Sequence, residues 1–436
     1  MQHSLILLTL ILTFFTACSE KSTSKDGTVY TDSYPEATVS REDVEGYGGD
    51  ISPVMPSPTP LPSIAVGEPH PSIPTSPESS DPYQPPVQSG LLTAADTDDN
   101  LNLTQFQKYI QRVLQSTQES SLPFMVTNDR VKLTIEGSDG KGVNRVKVKI
   151  GNFTGYTNSQ GVLYIFPTAD DIPSKTTITL NGKSQNIDLS SKKEFVIAFN
   201  KPSTLPKSLD LMFVIDSTGS MGDEMRYLSK EFDAIVANIE AKHSNVDIRF
   251  GLTLYKDKGD NFIVRDFPFT SNKNKMQKQL AGESANGGGD YPEAMEQGIK
   301  KGLDASWRAE NGVRMMFLVA DAPPHDENIK NMIPIIKQAR KEGIHIYPIG
   351  ASGVAKKAEF MMRNLALFTQ GRYLWLTDDS GIGASHEEPK VKCYQVTRLD
   401  QLIERVIDSE LSGKRIEADK ESIIRTVGNY TNGVCQ

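Results

Sequence analysis

Downstream of Leu209 the chain alternates between short apolar runs and longer stretches with helical spacing. The runs LDLMFVID, VDIRFGLTLYKD, GVRMMFLVAD, GIHIYPIGA and GRYLWLTDD are bounded by turn residues and read as strands. Between them, EMRYLSKEFDAIVANIEAKH, PEAMEQGIKKGLDA, NIKNMIPIIKQARKEG and AKKAEFMMRNLALFTQ read as helices. Near-continuous apolar strands alternating with helices predict an α/β fold, a doubly wound and mainly parallel sheet covered on both faces, over residues 204–380. TRLDQLIERVIDSELSG reads as a closing amphipathic helix within a C-terminal extension, 381–436.

The period changes upstream. RVKLTIEG and RVKVKIGN alternate polar and apolar residues, and SDGKG and TNSQG punctuate them as turns, which predicts a small β-sandwich over 121–203. GYTNSQGVLYIFP there resembles carboxypeptidase-regulatory-like and other Ig-like modules of bacterial surface proteins. Before it, TQFQKYIQRVLQST places Phe106, Ile110 and Leu114 on one helical face, within a segment 96–120. Residues 19–95, rich in Pro and Ser, carry no amphipathic period and read as an extended tether.

Composition narrows the class. Of 436 residues 37% are hydrophobic and 23% charged, the net charge is -8, and no Lys/Arg-rich run stands out. Nucleic acid is therefore not an expected partner. Met1–Ala17 is apolar and too short to span a bilayer, and reads as a signal segment, residues 1–18, ending at Cys18. Phe15-Thr16-Ala17-Cys18 resembles a bacterial lipobox, with Phe15 where Leu is usual. That resemblance implies lipidation at Cys18, membrane attachment through this lipid alone, and export to the cell envelope; Ser19 resembles the outer-membrane sorting pattern. Outside the cytosol the two remaining cysteines, Cys393 and Cys435, are expected to pair.

The candidate chemistry lies at strand ends, where ligands gather in such folds. DSTGS supplies Asp216, Thr218 and Ser220 from one tight turn; GGGDYPEA brings Asp290 and Glu293; ADAPPHD brings Asp321. A set of carboxylates and hydroxyls, without Cys or clustered His, suits a hard cation: Mg²⁺, with Mn²⁺ and Ca²⁺ as alternatives. Few carboxylates and several neutral hydroxyls leave such an ion electron-poor, able to accept a carboxylate from a partner.

Asp216-Ser217-Thr218-Gly219-Ser220 resembles the D-x-[ST]-x-S motif of von Willebrand factor type A domains, which have a Rossmann-like fold. In that family the motif forms a metal-ion-dependent adhesion site. GGGDYPE and ADAPPH resemble the integrin β I-like and hemicentin-like branch. The resemblance implies a metal held by Asp216, Thr218, Ser220 and Asp321, with Asp290 or Glu293 completing the set. It also implies a second ion site at Asp223 and Glu224, and a protein ligand bound through an acidic side chain. The function expected is binding or adhesion, not catalysis.

Two rival readings remain. DSTGS also resembles the DKTGT motif of haloacid-dehalogenase-like phosphoaspartyl enzymes, with Asp216 as nucleophile. Against this, Thr218 stands where those phosphatases carry a second Asp, and their late acidic motif is replaced by ADAPPHD. The other rival is an envelope scaffold or assembly factor that makes no use of a metal. His345 is expected to be a strand residue with a satisfied ring, His325 a turn residue, and Trp307 and Trp375 packing residues.

Overall fold

A computed structural model describes residues 92–116, 122–308, 312–380, 386 and 388–436, all within the compact unit Ser80–Gln436. The signal segment, Cys18 and the tether up to residue 91 lie outside the described residues. No helix among those described is long and apolar enough to cross a membrane.

The described chain opens with strand β1 (Thr93–Thr97) and helix α1 (Leu103–Leu114). Seven short strands follow: β2 (Val131–Glu136), β3 (Lys147–Ile150), β4 (Phe153–Tyr156), β5 (Val162–Ile165), β6 (Lys175–Leu180), β7 (Lys183–Asp188) and β8 (Glu194–Ala198). They form two sheets, ordered β5-β2-β8 and β4-β3-β6-β7. Alternation explains the arrangement: the inward residues Val131, Leu133, Ile135, Val148, Ile150, Ile178 and Leu180 meet in one core, while Lys147 and Lys149 face water.

The larger body follows: β9 (Ser208–Asp216), α2 (Gly222–Lys242), β10 (Asp247–Tyr255), β11 (Val264–Thr270), α3 (Lys273–Ala281), α4 (Met295–Leu303) and β12 (Gly312–Ala320). Then come α5 (Met332–Glu342), β13 (His345–Gly350), α6 (Lys356–Phe368), β14 (Tyr373–Thr377), β15 (Tyr394–Arg398), α7 (Leu399–Ser412) and β16 (Arg425–Val427). The hairpin β17 (Tyr430–Thr431) and β18 (Val434–Cys435) ends the chain. One nine-stranded sheet runs β11-β10-β9-β12-β13-β14-β1-β15-β16. Strands β10, β9, β12, β13 and β14 are mutually parallel, and antiparallel strands flank them on both sides. Both faces of β9 are buried: Met212 and Val214 join a core with α1, α4, α5 and α6, while Leu211, Phe213 and Ile215 join one with α2, α3 and α7. The mainly parallel, doubly covered sheet expected from the apolar runs is thus present.

Three elements differ from the sequence reading. The tether boundary expected at residue 95 falls inside β1, which sits between β14 and β15, far from its sequence neighbours. The segment 96–120 opens on the end of β1, and its helix, read from TQFQKYIQRVLQST, spans Leu103–Leu114. Tyr394–Arg398, partly assigned to the closing helix, is strand β15. Because β1 belongs to the large sheet, the β-sandwich is an insertion between one strand of that sheet and the rest.

The sandwich docks at the amino ends of the parallel strands. Arg145 Nη1 donates to the Gly343 carbonyl just before β13 (2.8 Å), and Gln370, just before β14, accepts from Tyr164 N (3.2 Å) and donates to Tyr156 O (3.0 Å). The carboxyl ends of the same strands are left for the site.

Candidate functional site

Strand β9 ends on Asp216, which is fully buried. One oxygen, Oδ1, accepts the Thr218 backbone N–H at 3.0 Å and the Thr218 hydroxyl at 2.7 Å. The hydroxyls of Thr218 and Ser220 are 3.5 Å apart. Ser217 fixes the turn from behind, its N–H and hydroxyl both donating to Tyr255 O at 2.9 Å. The turn then runs directly into α2.

The glycine loop closes on this turn through backbone bonds, Gly219 N to Gly287 O (3.1 Å) and Asn286 N to Ser217 O (3.1 Å). Gly288 has φ +71°, and a Cβ there would lie 2.9 Å from Glu293 Oε1 and 3.2 Å from Thr218 Cβ. A side chain at 288 would therefore separate the second loop from the first. Glu293 N–H donates to Pro323 O at 2.9 Å, which joins the second loop to the third. Asp321 follows β12, and the Tyr291 hydroxyl donates to its carbonyl at 3.1 Å while accepting from Ala355 N at 2.8 Å.

Asp216, Thr218, Ser220, Glu293 and Asp321 are thereby gathered at one edge. Asp290 is exposed. The acids Asp223 and Glu224 diverge: Asp223 is exposed and paired with Arg226 at 2.8 Å. Glu224 is buried, and its Oε1 accepts from the Ser352 N–H at 3.2 Å and from the Ser352 hydroxyl. Each of the two carboxylates named for a second ion is thus engaged with a different neighbour. Ser352 Oγ lies 3.0 Å from His386 Nε2, and His386 Nδ1 lies 2.7 Å from Asp378 Oδ1. Nothing in TDDSGIGASHEEPK advertised that chain of contacts, because its members meet only through the fold.

Electrostatically the cluster is short of positive charge. Asp216 Oδ2, Glu293 Oε2 and Asp321 Oδ1 are buried without hydrogen-bond partners. The Tyr255 hydroxyl faces Asp216 without closing a bond of ordinary geometry. Burial, and then repulsion from Asp321, push the Asp216 carboxyl up to about 7, against the pull of the Thr218 donors. Burial again leads at Glu293, with Asp216, Asp257, Asp321 and Asp260 adding charge, and raises it to about 9. Asp321 is raised by burial and by Glu224, opposed by a hydrogen bond from Ser220. Three buried acids with orphaned oxygens are the environment that a cation would relieve. Among the described residues no group of three His, Cys, Asp or Glu side chains converges tightly enough to hold an ion unaided. Other oxygens beside these carboxylates are the Thr218 and Ser220 hydroxyls.

Neighbouring residues without a sequence signature shape the rim. Buried Lys256 donates from Nζ to Asn286 O and, at 2.8 Å, to Asn286 Oδ1, pinning the glycine loop. His325 Nε2 is 2.6 Å from Asp257 Oδ1, and the His325 carbonyl accepts from Asn328 and Ile329 N–H groups. The ring of His345 is not satisfied as expected: Nδ1 is buried, 3.4 Å from Glu410 Oε2 and outside hydrogen-bond geometry. Trp375 packs against Tyr373 and Tyr394, and Trp307 against Phe269. Cys393 and Cys435 form a disulfide far from the cluster in sequence.

Residues 210–381 match the family model of the von Willebrand factor A domain. Among curated proteins, the alpha-protein kinase vwkA of Dictyostelium discoideum is 22% identical over 241 residues, covering 54% of this chain and 38% of that protein. A putative ariadne-like RING finger protein of Acanthamoeba polyphaga mimivirus is 32% identical over 120 residues, 28% of this chain and 12% of its own. The chain thus spans well under half the length of either relative. Among solved structures, BatB, a conserved hypothetical protein from Bacteroides thetaiotaomicron, is 12% identical with a TM-score of 0.33, covering 47% of this chain and 97% of its own. The pilus adhesin SpaC from Lactobacillus rhamnosus GG is 13% identical with a TM-score of 0.31, covering 46% of this chain and 30% of its own. The strand-end cluster and, but for the first two residues of β9, the parallel strands that carry it lie within the matched segment: residues 210–381 are a von Willebrand factor A domain.

Proposed function

We propose that the chain is a metal-ion-dependent binding module that captures a protein ligand through a divalent cation at the strand-end cluster. One observation carries the reading: Asp216, Glu293 and Asp321 are buried together, each with an oxygen that has no hydrogen-bond partner among the described residues, where no Lys or Arg forms an ion pair with any of them. Asp216, Thr218, Ser220, Glu293 and Asp321 would hold the ion directly or through water, and oxygen donors of this kind favour Mg²⁺ over softer metals. When bound, the ion would supply positive charge for an acidic side chain of the partner. The chain's own residues do the rest. The Thr218 donors orient Asp216, Gly288 leaves room for Glu293 beside Thr218, and Lys256 holds the glycine loop closed.

Attachment to the cell envelope through a lipid on Cys18 belongs to the same proposal, and so does a non-catalytic role. The lipobox resemblance and the Pro/Ser-rich tether support an anchored head. Domains of this family commonly serve as protein-interaction modules, which supports a protein as the ligand.

The test is calorimetric titration of the chain with Mg²⁺, Mn²⁺ and Ca²⁺, alongside Asp216→Ala. Saturable binding by the parent that disappears in the variant supports the proposal. A chain that stays folded and binds none of the three ions, alone or with acidic peptides present, would falsify it.

A further inference from the structure

A second charged feature lies away from the strand-end cluster. Helix α1 and the segment leading to β15 line an open cavity of about 640 Å³. Its walls carry Lys108 and Arg112 from α1, and Lys390 and Lys392 from the opposite side. None of these four cations makes an ion pair or side-chain hydrogen bond among the described residues, whose surface cations are otherwise often paired. Lys108 and Arg112 are one helical turn apart, roughly 6 Å along the axis, a like-charge spacing that disfavours the helix unless something negative lies across it. Helix α1, LTQFQKYIQRVL, contains no acid at all. Among the described residues the one acid lining the cavity, Asp99, is bonded to Arg363 at 2.8 and 3.0 Å, and Glu388, two residues before Lys390, is bonded to Arg425 and Tyr394.

The two walls are also tied together. Lys392 immediately precedes Cys393, which is bridged to Cys435. On the other wall, Asn102 Oδ1 accepts from Cys435 N at 2.9 Å, Asn102 Nδ2 donates to Gly433 O at 2.7 Å, and Gln105 Nε2 donates to Cys435 O at 3.1 Å. The hairpin β17–β18 is therefore a strap holding the basic segment 390–392 against the basic face of α1.

We propose that this cavity is a polyanion site, taking a ligand that carries two or more phosphate, sulfate or carboxylate groups. Four solvent-exposed cations line one open groove without an ion pair among the described residues, and a multiply charged anion there removes their mutual repulsion while gaining charge-assisted hydrogen bonds from Arg112 and the lysines. The amide side chains on the same face of α1 add neutral donors. The site is independent of the cation site and of any ligand bound there.

The experiment titrates the full chain with tripolyphosphate and, separately, citrate at low ionic strength, with orthophosphate for comparison. Saturable binding of either polyanion, at least ten-fold tighter than orthophosphate, is expected, and the preferred probe distinguishes phosphate from carboxylate recognition. Lys108→Glu/Arg112→Glu and, from the other wall, Lys390→Glu/Lys392→Glu should each weaken it ten-fold or more. Lys147→Glu/Lys149→Glu, on the exposed face of β3, should leave it unchanged. Reducing the disulfide should weaken binding several-fold while the circular dichroism spectrum is retained. No saturable binding, or equal weakening by the β3 pair, overturns the site; unchanged affinity after reduction overturns the role of the strap.

Discussion

Strand β9 carries a buried aspartate near each end, and the two are treated in opposite ways. Asp210, at the amino end, is gripped by Arg249 (2.9 and 2.6 Å) and by Arg308 through its Nε (2.7 Å) and its backbone N–H (2.7 Å). Although burial alone would raise it, these donors hold the Asp210 carboxyl below its ordinary range. Asp216, at the carboxyl end, receives two donors from Thr218 on one oxygen and none on the other, and its carboxyl is raised to about 7. The fold provides arginines where an acid is structural. It withholds them where, on the proposed reading, the positive charge arrives from solution.

The contrast can be broken most forcefully at Asp210. Asp210→Ala leaves Arg249 and the Arg308 guanidinium without their shared acid, and should cost about 3–5 kcal/mol in urea unfolding. Asp216→Asn, measured with chelator, should have the opposite sign: removing an uncompensated buried charge should stabilise the metal-free chain at pH 8 by about 1–2 kcal/mol. If both variants destabilise equally, the two ends of β9 are not different in kind.

The same asymmetry sets a pH dependence. Asp216 and Glu293 have folded values raised above their unfolded ones, to about 7 and about 9. Between the unfolded and folded values the native state holds the extra protons, so stability falls as pH rises through that window. In chelator, the melting temperature should therefore decline from about pH 5 to about pH 9 from these groups. Saturating Mg²⁺ should flatten the decline, since an ion stabilises the charged forms. A metal-free profile that rises over this range contradicts the burial of unpaired acids. The smallest effect is expected at Gly288→Ala, where φ +71° and the close approach to Glu293 should cost about 1 kcal/mol and weaken cation affinity.

The central sheet was legible because its parallel strands are buried on both faces and so read as unbroken apolar runs. Motif order likewise pointed to Asp216, Thr218, Ser220 and Asp321, with Asp290 and Glu293 as alternatives, since each cluster follows a strand or opens a helix. Strand β1 was not legible: TAADT is short and polar, and its burial comes from partners, Thr377 and Arg398, in another part of the chain. Nor could sequence say that Glu224 would turn to Ser352, or that Asp290 would face water while Glu293, three residues on, was buried. Proximity in sequence does not fix direction where a loop meets a helix.

The interior position of β1 has a consequence for how the chain is made. The Thr93 hydroxyl donates to the Thr377 carbonyl across 284 residues of sequence. At ordinary translation speeds, roughly 15–60 s separate the synthesis of those partners. The sandwich, whose pairings all lie within 131–198, can close during that wait. The large sheet cannot, and β14 emerges with an edge that only an already old segment of the same chain fills. Until then β1 has neither of its partners, and both its edges are open templates for strands from other molecules. Slow synthesis or crowding of nascent chains should therefore yield aggregates joined at β1, with sandwiches already folded.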